Sequence, residues 1–280
     1  MLVNDSCAIC LYDKQSHKVN DEAYLREVRK IIDNRREMDC APYLVYLFNK
    51  EYEKRFGRPN SYAEIKKQYN DLVLSMEDEL REKINNAKDP LMKAFIYSRV
   101  GNYIDFGAMN TVEKDKFLLM FENSKMSSQD MITYESFINQ CKGAKNFLLI
   151  ADNCGEIVLD KLFLEELKKR FPHLEVTVMV RGGEVLNDNT YEDAIYCGVD
   201  KIAKIITNGV DLAGTVYEML PKDAKSIIDN ADVIFAKGQG NYESMSRQNR
   251  HIFYSFLCKC DLFTSRFNVP RLTGMFVEEK

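Results

Sequence analysis

Five short apolar runs in the second half of the chain limit its fold more than anything else in the sequence. They read NFLLIA (146–151), EVTVMV (Glu175–Val180), KIIT (Lys204–Thr207), VIFA (Val233–Ala236) and IFYSFL (Ile252–Leu257). Each has the length of a strand, and helical stretches such as EIVLDKLFLEELKKR lie between them. Strands that are apolar on both faces belong inside a covered sheet, and strand–helix alternation makes such a sheet mainly parallel. An α/β protein is therefore expected, with a mainly parallel sheet and helices on both of its faces.

The first half has a different pattern. Glu22–Arg35 places Leu25, Val28, Ile31 and Ile32 on one helical face. Cys40-Ala41-Pro42 starts another helix, with proline in a tolerated first-turn position, and Gly57 stops it. Ser61 and Glu64 have capping-box spacing before SYAEIKKQYNDLVLSMEDELREKI, and Asp89-Pro90 opens a helix reaching about Val100. The expected division is a helical domain over residues 1–140 and an α/β domain over 141–280, with the boundary near Ser127–Gly143.

Composition narrows the function classes. The net charge of −4 is spread through the chain, with no clustered basic face for nucleic acid. No apolar run approaches the length of a membrane span, and the start of the chain lacks the basic-then-apolar pattern of a signal peptide. A cytoplasmic protein is expected. The eight cysteines are then expected as free thiols or metal ligands rather than a disulfide framework. Cys7-Ala8-Ile9-Cys10 is the one CxxC; a structural zinc needs four ligands, and Cys258-Lys259-Cys260 is not the usual completing spacing.

Polar residues gather just after the strands. Asp152, Asn153 and Gly155 follow the first, and Arg181-Gly182-Gly183 and Asn187-Asp188-Asn189-Thr190 the second. Asn208-Gly209 and Gly214-Thr215 follow the third, and Lys237-Gly238-Gln239-Gly240-Asn241 the fourth. In a parallel sheet these loops emerge on one edge and can share a crevice. Asp152, Asn153 and Asp188 are hard oxygen donors suited to Mg²⁺ or Mn²⁺, leaving positions for water and a substrate phosphate. Lys237 could neutralise charge developing on a phosphoryl group, and Arg181 could grip an anion. Taken alone, Asp152 could equally cap the next helix, Asp188 could cap another, and Lys237 could be a solvated lysine. Asn102 and Asp105, between Gly101 and Gly107, read either as a helix break with a cap or as two groups reaching into the site.

The sequence argues against several catalytic classes. Gly238-Gln239-Gly240 has Glu243 where a dinucleotide fingerprint needs its third glycine, and no P-loop or G-x-S-x-G elbow occurs. The three histidines never pair at metal-ligand spacing.

The set ADNCGEIVLD, RGGEVLNDNTYEDA, NGVDLAGT and AKGQGNYE, in that order, resembles the metal-dependent damage-control phosphatase family, formerly a domain of unknown function. CAIC, SYAEIKKQYN, KDPLMKA and GNYIDFG resemble its CxxC-containing subgroup, so the likeness spans nearly the whole chain. The resemblance implies a Rossmann-like α/β domain with an N-terminal helical region. It implies hydrolysis of phosphate monoesters with Mn²⁺, Co²⁺, Ni²⁺ or Mg²⁺. The family's metal ligands fall on Asp152, Asn153 and Asp188, its Lys-Gly lysine on Lys237, and a phosphate or substrate contact on Asn241. Its Gly-Asn-x-Ile-Asp motif falls on Asn102 and Asp105. Glu184 stands where the family more often has proline, which points to a less rigid loop before Asp188, and Cys154 replaces a more usual small residue.

The expected function is a metal-dependent phosphatase of small phosphorylated metabolites, such as sugar phosphates or damaged phosphometabolites, using metal-activated water. Asp152, Asp188 and Lys237 are the expected catalytic residues; Asn102, Asp105, Arg181 and Asn241 are expected to contact substrate. The alternatives are a transferase or oxidoreductase binding a nucleotide cofactor on the same sheet, and a non-catalytic metal- or metabolite-binding protein.

Overall fold

A computed structural model describes residues 3–103, 121–122 and 124–280. Its centre is a six-stranded sheet in the order β3-β2-β1-β4-β5-β6. The strands are β1 (Asn146–Ile150), β2 (Glu175–Val180), β3 (Lys204–Thr207), β4 (Val233–Lys237), β5 (Ile252–Leu257) and β6 (Gly274–Glu279). The first five are parallel, as their apolar runs predict, and β6 adds an antiparallel edge that was not read from the sequence. The chain leaves β1 toward β2 and β3, then crosses back to β4. The gap between the ends of β1 and β4 is therefore the switch point where such sheets hold ligands.

The period-two alternation of each strand divides the core. Phe147, Leu149, Phe235 and Phe253 join the helices of one face, α6 (Pro90–Gly101), α7 (Ser128–Gly143) and α8 (Glu156–Arg170). Leu148, Ile150, Ile234, Tyr254 and Phe256 point the other way, onto α10 (Lys222–Asp229), α11 (Gln239–Met245) and α12 (Asp261–Phe267). The short α9 (Tyr191–Tyr196) follows β2.

The helical region has two parts. Helices α1 (Asp5–Lys18), α2 (Glu22–Asp33) and α3 (Ala41–Phe56) bury their own cluster around Tyr24, Val28, Leu44 and Phe48. Helices α4 (Ala63–Leu74), α5 (Glu77–Asn85) and α6 instead share the sheet's core. The single long helix expected after Ser61 is broken at Ser75-Met76. Its capping box does not form: α4 starts one residue later, with Tyr62 at the N-cap and no side-chain cap, while Ser61 Oγ accepts from Ala63 N (3.1 Å) and donates to Glu184 Oε1 (2.8 Å). Ser127–Gly143, the expected boundary, is helix α7 with its own Ser127–Asp130 capping box.

Candidate functional site

Strand β1 runs into the turn Asp152–Gly155, and Gly155, at φ +79°, is the N-cap of α8. Neither carboxylate does the capping that was open from the sequence. Asp152 is not the cap of α8, and Thr190 rather than Asp188 precedes α9, with its N–H and hydroxyl on Asp193. The turn is fastened to the loop after β2. Cys154 N donates to Asn187 O (2.8 Å), Asn189 N to Asp152 O (2.8 Å), and Asn153 and Asp188 form an antiparallel bridge. Asn189 Nδ2 donates to Asn153 O at 2.5 Å and Asn187 Nδ2 to Asn153 Oδ1 at 3.0 Å. Cys154 is fully buried in the core behind this pairing, where its side chain acts as a small apolar one.

Arg181, only 1% exposed, gathers the loops on one side of the turn. Its Nε donates to Asp188 Oδ2 (2.6 Å) and its Nη2 to Asp152 Oδ1 (3.4 Å). Its Nη1 reaches Gly214 O (2.9 Å) and Asn241 Oδ1 (3.1 Å). Asn241 in turn accepts from Thr215 Oγ1 (2.8 Å) and donates to Lys237 O (2.6 Å). The loops after β1, β2, β3 and β4 thus meet on one guanidinium, whose planar fork suits several fixed acceptors at once.

Lys237 does the same on the other side. It is not a solvated lysine: it is completely buried. Its Nζ lies 2.6 Å from Asp160 Oδ1 and 2.8 Å from Glu156 Oε1, and donates to Ser98 Oγ (2.9 Å) and Ser98 O (3.0 Å) on α6. Asn102 bridges from α6 to the turn. Its Nδ2 lies 3.2 Å from both Asp152 Oδ2 and Glu156 Oε2, and its Oδ1 accepts from Leu257 N. Gly101 permits this approach, since a Cβ there would sit 2.8 Å from Glu156 Cγ. Gly238, at φ +84°, closes the switch point. Any side chain there would overlap the Asp152 carboxylate, so only glycine fits. Asp105 lies outside the described residues.

The charges do not balance. Among the described residues, the four carboxylates of Asp152, Asp188, Glu156 and Asp160 meet the two cations Arg181 and Lys237, with Lys259 a third cation near Asp152. Burial, and then the nearby Asp188 and Glu156 carboxylates, hold Asp152 well above the ordinary carboxylate range, while Lys259 and Arg181 pull it back. Burial raises Asp160 to about 6 despite Lys237. Burial works against the Lys237 ammonium, but Asp160 and Glu156 outweigh it and keep its pKa above the ordinary value.

Sequence reasoning missed the parts played by Glu156, Asp160, Ser98 and Lys259. The first two had a signal: acids four apart on one face of EIVLDKLFL, a stretch too apolar to be a solvated surface. Ser98 and Lys259 had none. Glu184, which stands where the family more often has proline, accepts from Ser61 Oγ and Tyr62 N of the helical region. Cys7 and Cys10 stand one turn apart in α1 as free thiols. No three His, Cys, Asp or Glu side chains gather as a metal cage among the described residues. No helix among them is long and apolar enough to cross a membrane.

The chain belongs to the damage-control phosphatase family: the damage-control phosphatase ARMT1-like domain matches residues 5–272. An uncharacterized protein of Methanocaldococcus jannaschii is 30% identical over 284 residues, covering 92% of this chain and 89% of that protein. A damage-control phosphatase of Archaeoglobus fulgidus is 28% identical, covering 93% of each. One from Pyrococcus horikoshii is 29% identical over 82% of this chain and 78% of its own. The crystal structure of a DUF89 family protein from Pyrococcus horikoshii superposes over 100% of both chains with a TM-score of 0.81 at 23% identity, which shows the same fold.

Proposed function

We propose that this chain is a metal-dependent hydrolase of phosphate monoesters, acting on small phosphorylated metabolites such as sugar phosphates or damaged phosphometabolites. Membership of the family supports a phosphatase-type function in general. The observation that carries the finer reading is the pairing of Asp152-Asn153 with Asp188 at the switch point, inside a polar cluster whose carboxylates outnumber its cations. Two carboxylates and an amide oxygen are the donor chemistry of a hard divalent cation, and a cation there offsets the excess negative charge. Asp152, Asn153 and Asp188 would hold Mn²⁺, Co²⁺, Ni²⁺ or Mg²⁺. Such an ion supplies Lewis acidity toward a phosphoryl oxygen and a lowered water pKa.

The chain's own groups do the rest. Arg181 and Asn102 fix the two oxygens of Asp152 from opposite sides, so the carboxylate keeps one orientation. Asp152 or Asp188 orients the attacking water. Direct attack by water, without a phosphoenzyme, is the proposed route, and no Asp-x-Asp-x-Thr/Val motif of an aspartyl-phosphate nucleophile starts at Asp152. Lys237, completely buried and enclosed by Asp160, Glu156 and Ser98, keeps a fixed positive charge behind the turn that partly offsets those two carboxylates. Asn102 and Asn241, both fully buried with their amides bonded to protein groups, brace the turn and the Arg181 fork beside the proposed substrate position.

The test is hydrolysis of p-nitrophenyl phosphate by chelator-stripped protein resupplied with each of the four ions. Activity is expected to return with at least one ion and to fall ~100-fold or more in Asp152→Ala, comparable to losing an essential electrostatic group. Absence of metal-stimulated hydrolysis, or a full rate in Asp152→Ala, would refute the reading.

A further inference from the structure

Helix α6 has a second polar face. Ser98 and Asn102 look toward Lys237 and Asp152, whereas Arg99 and Tyr103 line a separate cavity of about 560 Å³. This cavity lies between the end of α6, the start of α7 and the β5–β6 edge, and none of Asp152, Asn153, Asp188 or Lys237 lines it. Among the described residues, its charged lining is Arg99, Lys125 and Arg271 with the carboxylate of Asp130, and its hydroxyls include those of Ser127 and Thr273.

Arg99 is the buried member. Its side chain is 11% exposed, and it reaches Asp130 Oδ1 at 3.2 Å and Gly274 O at 3.4 Å, both long for charge-assisted contacts. Its Nε is buried with no hydrogen-bond partner among the described residues. The guanidinium also lies over the Phe276 ring, 5.8 Å from its centroid, and burial lowers the Arg99 pKa while Asp130 opposes that shift. Lys125 and Arg271 are exposed on the rim. A buried, under-partnered guanidinium beneath two surface cations is the arrangement that recognises a multiply charged oxyanion.

We infer that this cavity is a second anion site, shaped for a phosphate-like dianion, free or carried by a metabolite, and distinct from the Asp152 turn. Its occupant would replace the long Asp130 contact with shorter bonds to Arg99. Asp130 therefore acts as an internal competitor, and weakening it should improve binding. This inference stands independently of the proposed phosphatase reaction.

The experiment is calorimetric titration of sulfate into metal-stripped protein, in wild type and in Arg271→Gln, Lys125→Gln and Asp130→Asn. Sulfate is a dianion that is not a product of phosphate-ester hydrolysis. Arg271→Gln should weaken binding about tenfold, the scale of one charge-assisted hydrogen bond. Lys125→Gln should weaken it less, and Asp130→Asn, which keeps capping capacity, should tighten it. Because Arg271 and Lys125 are on the surface, their replacement leaves the fold intact. Repeating the titration with a phosphorylated sugar separates the two sources. Tighter binding than sulfate with the same Arg271 dependence identifies a metabolite-borne group, and binding no tighter than sulfate identifies the free ion. The site is overturned if sulfate fails to bind up to about 10 mM. It is equally overturned if binding is unaffected by both rim substitutions. Metal-stimulated hydrolysis should be unchanged in Arg271→Gln, so the failure of either reading leaves the other standing.

Discussion

Arg181 and Lys237 are both buried cations beside the same turn, yet they tie different things together. Among the described residues, Arg181 is bonded within the α/β part, to Asp188, Asp152, Gly214, Thr215 and Asn241. Lys237 reaches out of it to Ser98 on α6, and meets Glu156 and Asp160 of α8 on the way. One cation therefore holds the loops in register with each other, and the other holds the helical region onto the loops. The difference teaches that the site has two independent supports, either of which can be cut separately.

The most disruptive cuts are Arg181→Met and Lys237→Met. Each strands buried carboxylates and should cost about 3–5 kcal/mol in urea unfolding. They should differ in where protection is lost. Hydrogen exchange is expected to rise in residues 182–190 and 208–215 for Arg181→Met, and in Pro90–Gly101 for Lys237→Met. The same exchange pattern in both variants would break the comparison.

A smaller effect comes from Asp160, whose raised pKa favours its protonated form in the fold. The stability this carboxyl contributes is complete below its ordinary value of 3.8 and is lost as pH rises through about 6. The stability of wild type relative to Asp160→Asn should therefore fall between pH 4 and pH 7, by at most about 3 kcal/mol. A flat difference would mean that Lys237 keeps Asp160 ionised throughout. The smallest expected change is Ser98→Ala, which removes a hydroxyl bonded to both Asp160 and Lys237 at a cost of about 1.5 kcal/mol, read from the shift in the urea midpoint.

How much of this was legible in the sequence depended on distance along the chain. The five parallel strands were visible because burial on both faces leaves runs such as VIFA and IFYSFL almost wholly apolar. β6 escaped because an edge strand is only half buried, so GMFVEE carries no clear period. The gathering of Asp152, Asn153 and Asp188 was legible because loops after parallel strands share an edge. Ser98 was not, since a serine within an apolar helix looks the same whether it meets a lysine or a leucine. Arg181 was legible as a cation but not as a buried one, because burial arises from four loops that sequence order does not bring together.

The paired turns described above also have a consequence for how the protein folds. Asn189 reaches Asn153 across 36 residues, Asn102 reaches Asp152 across 50, Arg181 reaches Asn241 across 60, and Lys237 reaches Ser98 across 139. Contacts of such span pay loop-closure entropy before they gain anything from one another, which places them late in assembly. The polar centre is thus a product of completed topology rather than a nucleus for it. During refolding, the far-ultraviolet helix signal is expected to recover well before catalytic competence, which waits for β4 to dock beside β1.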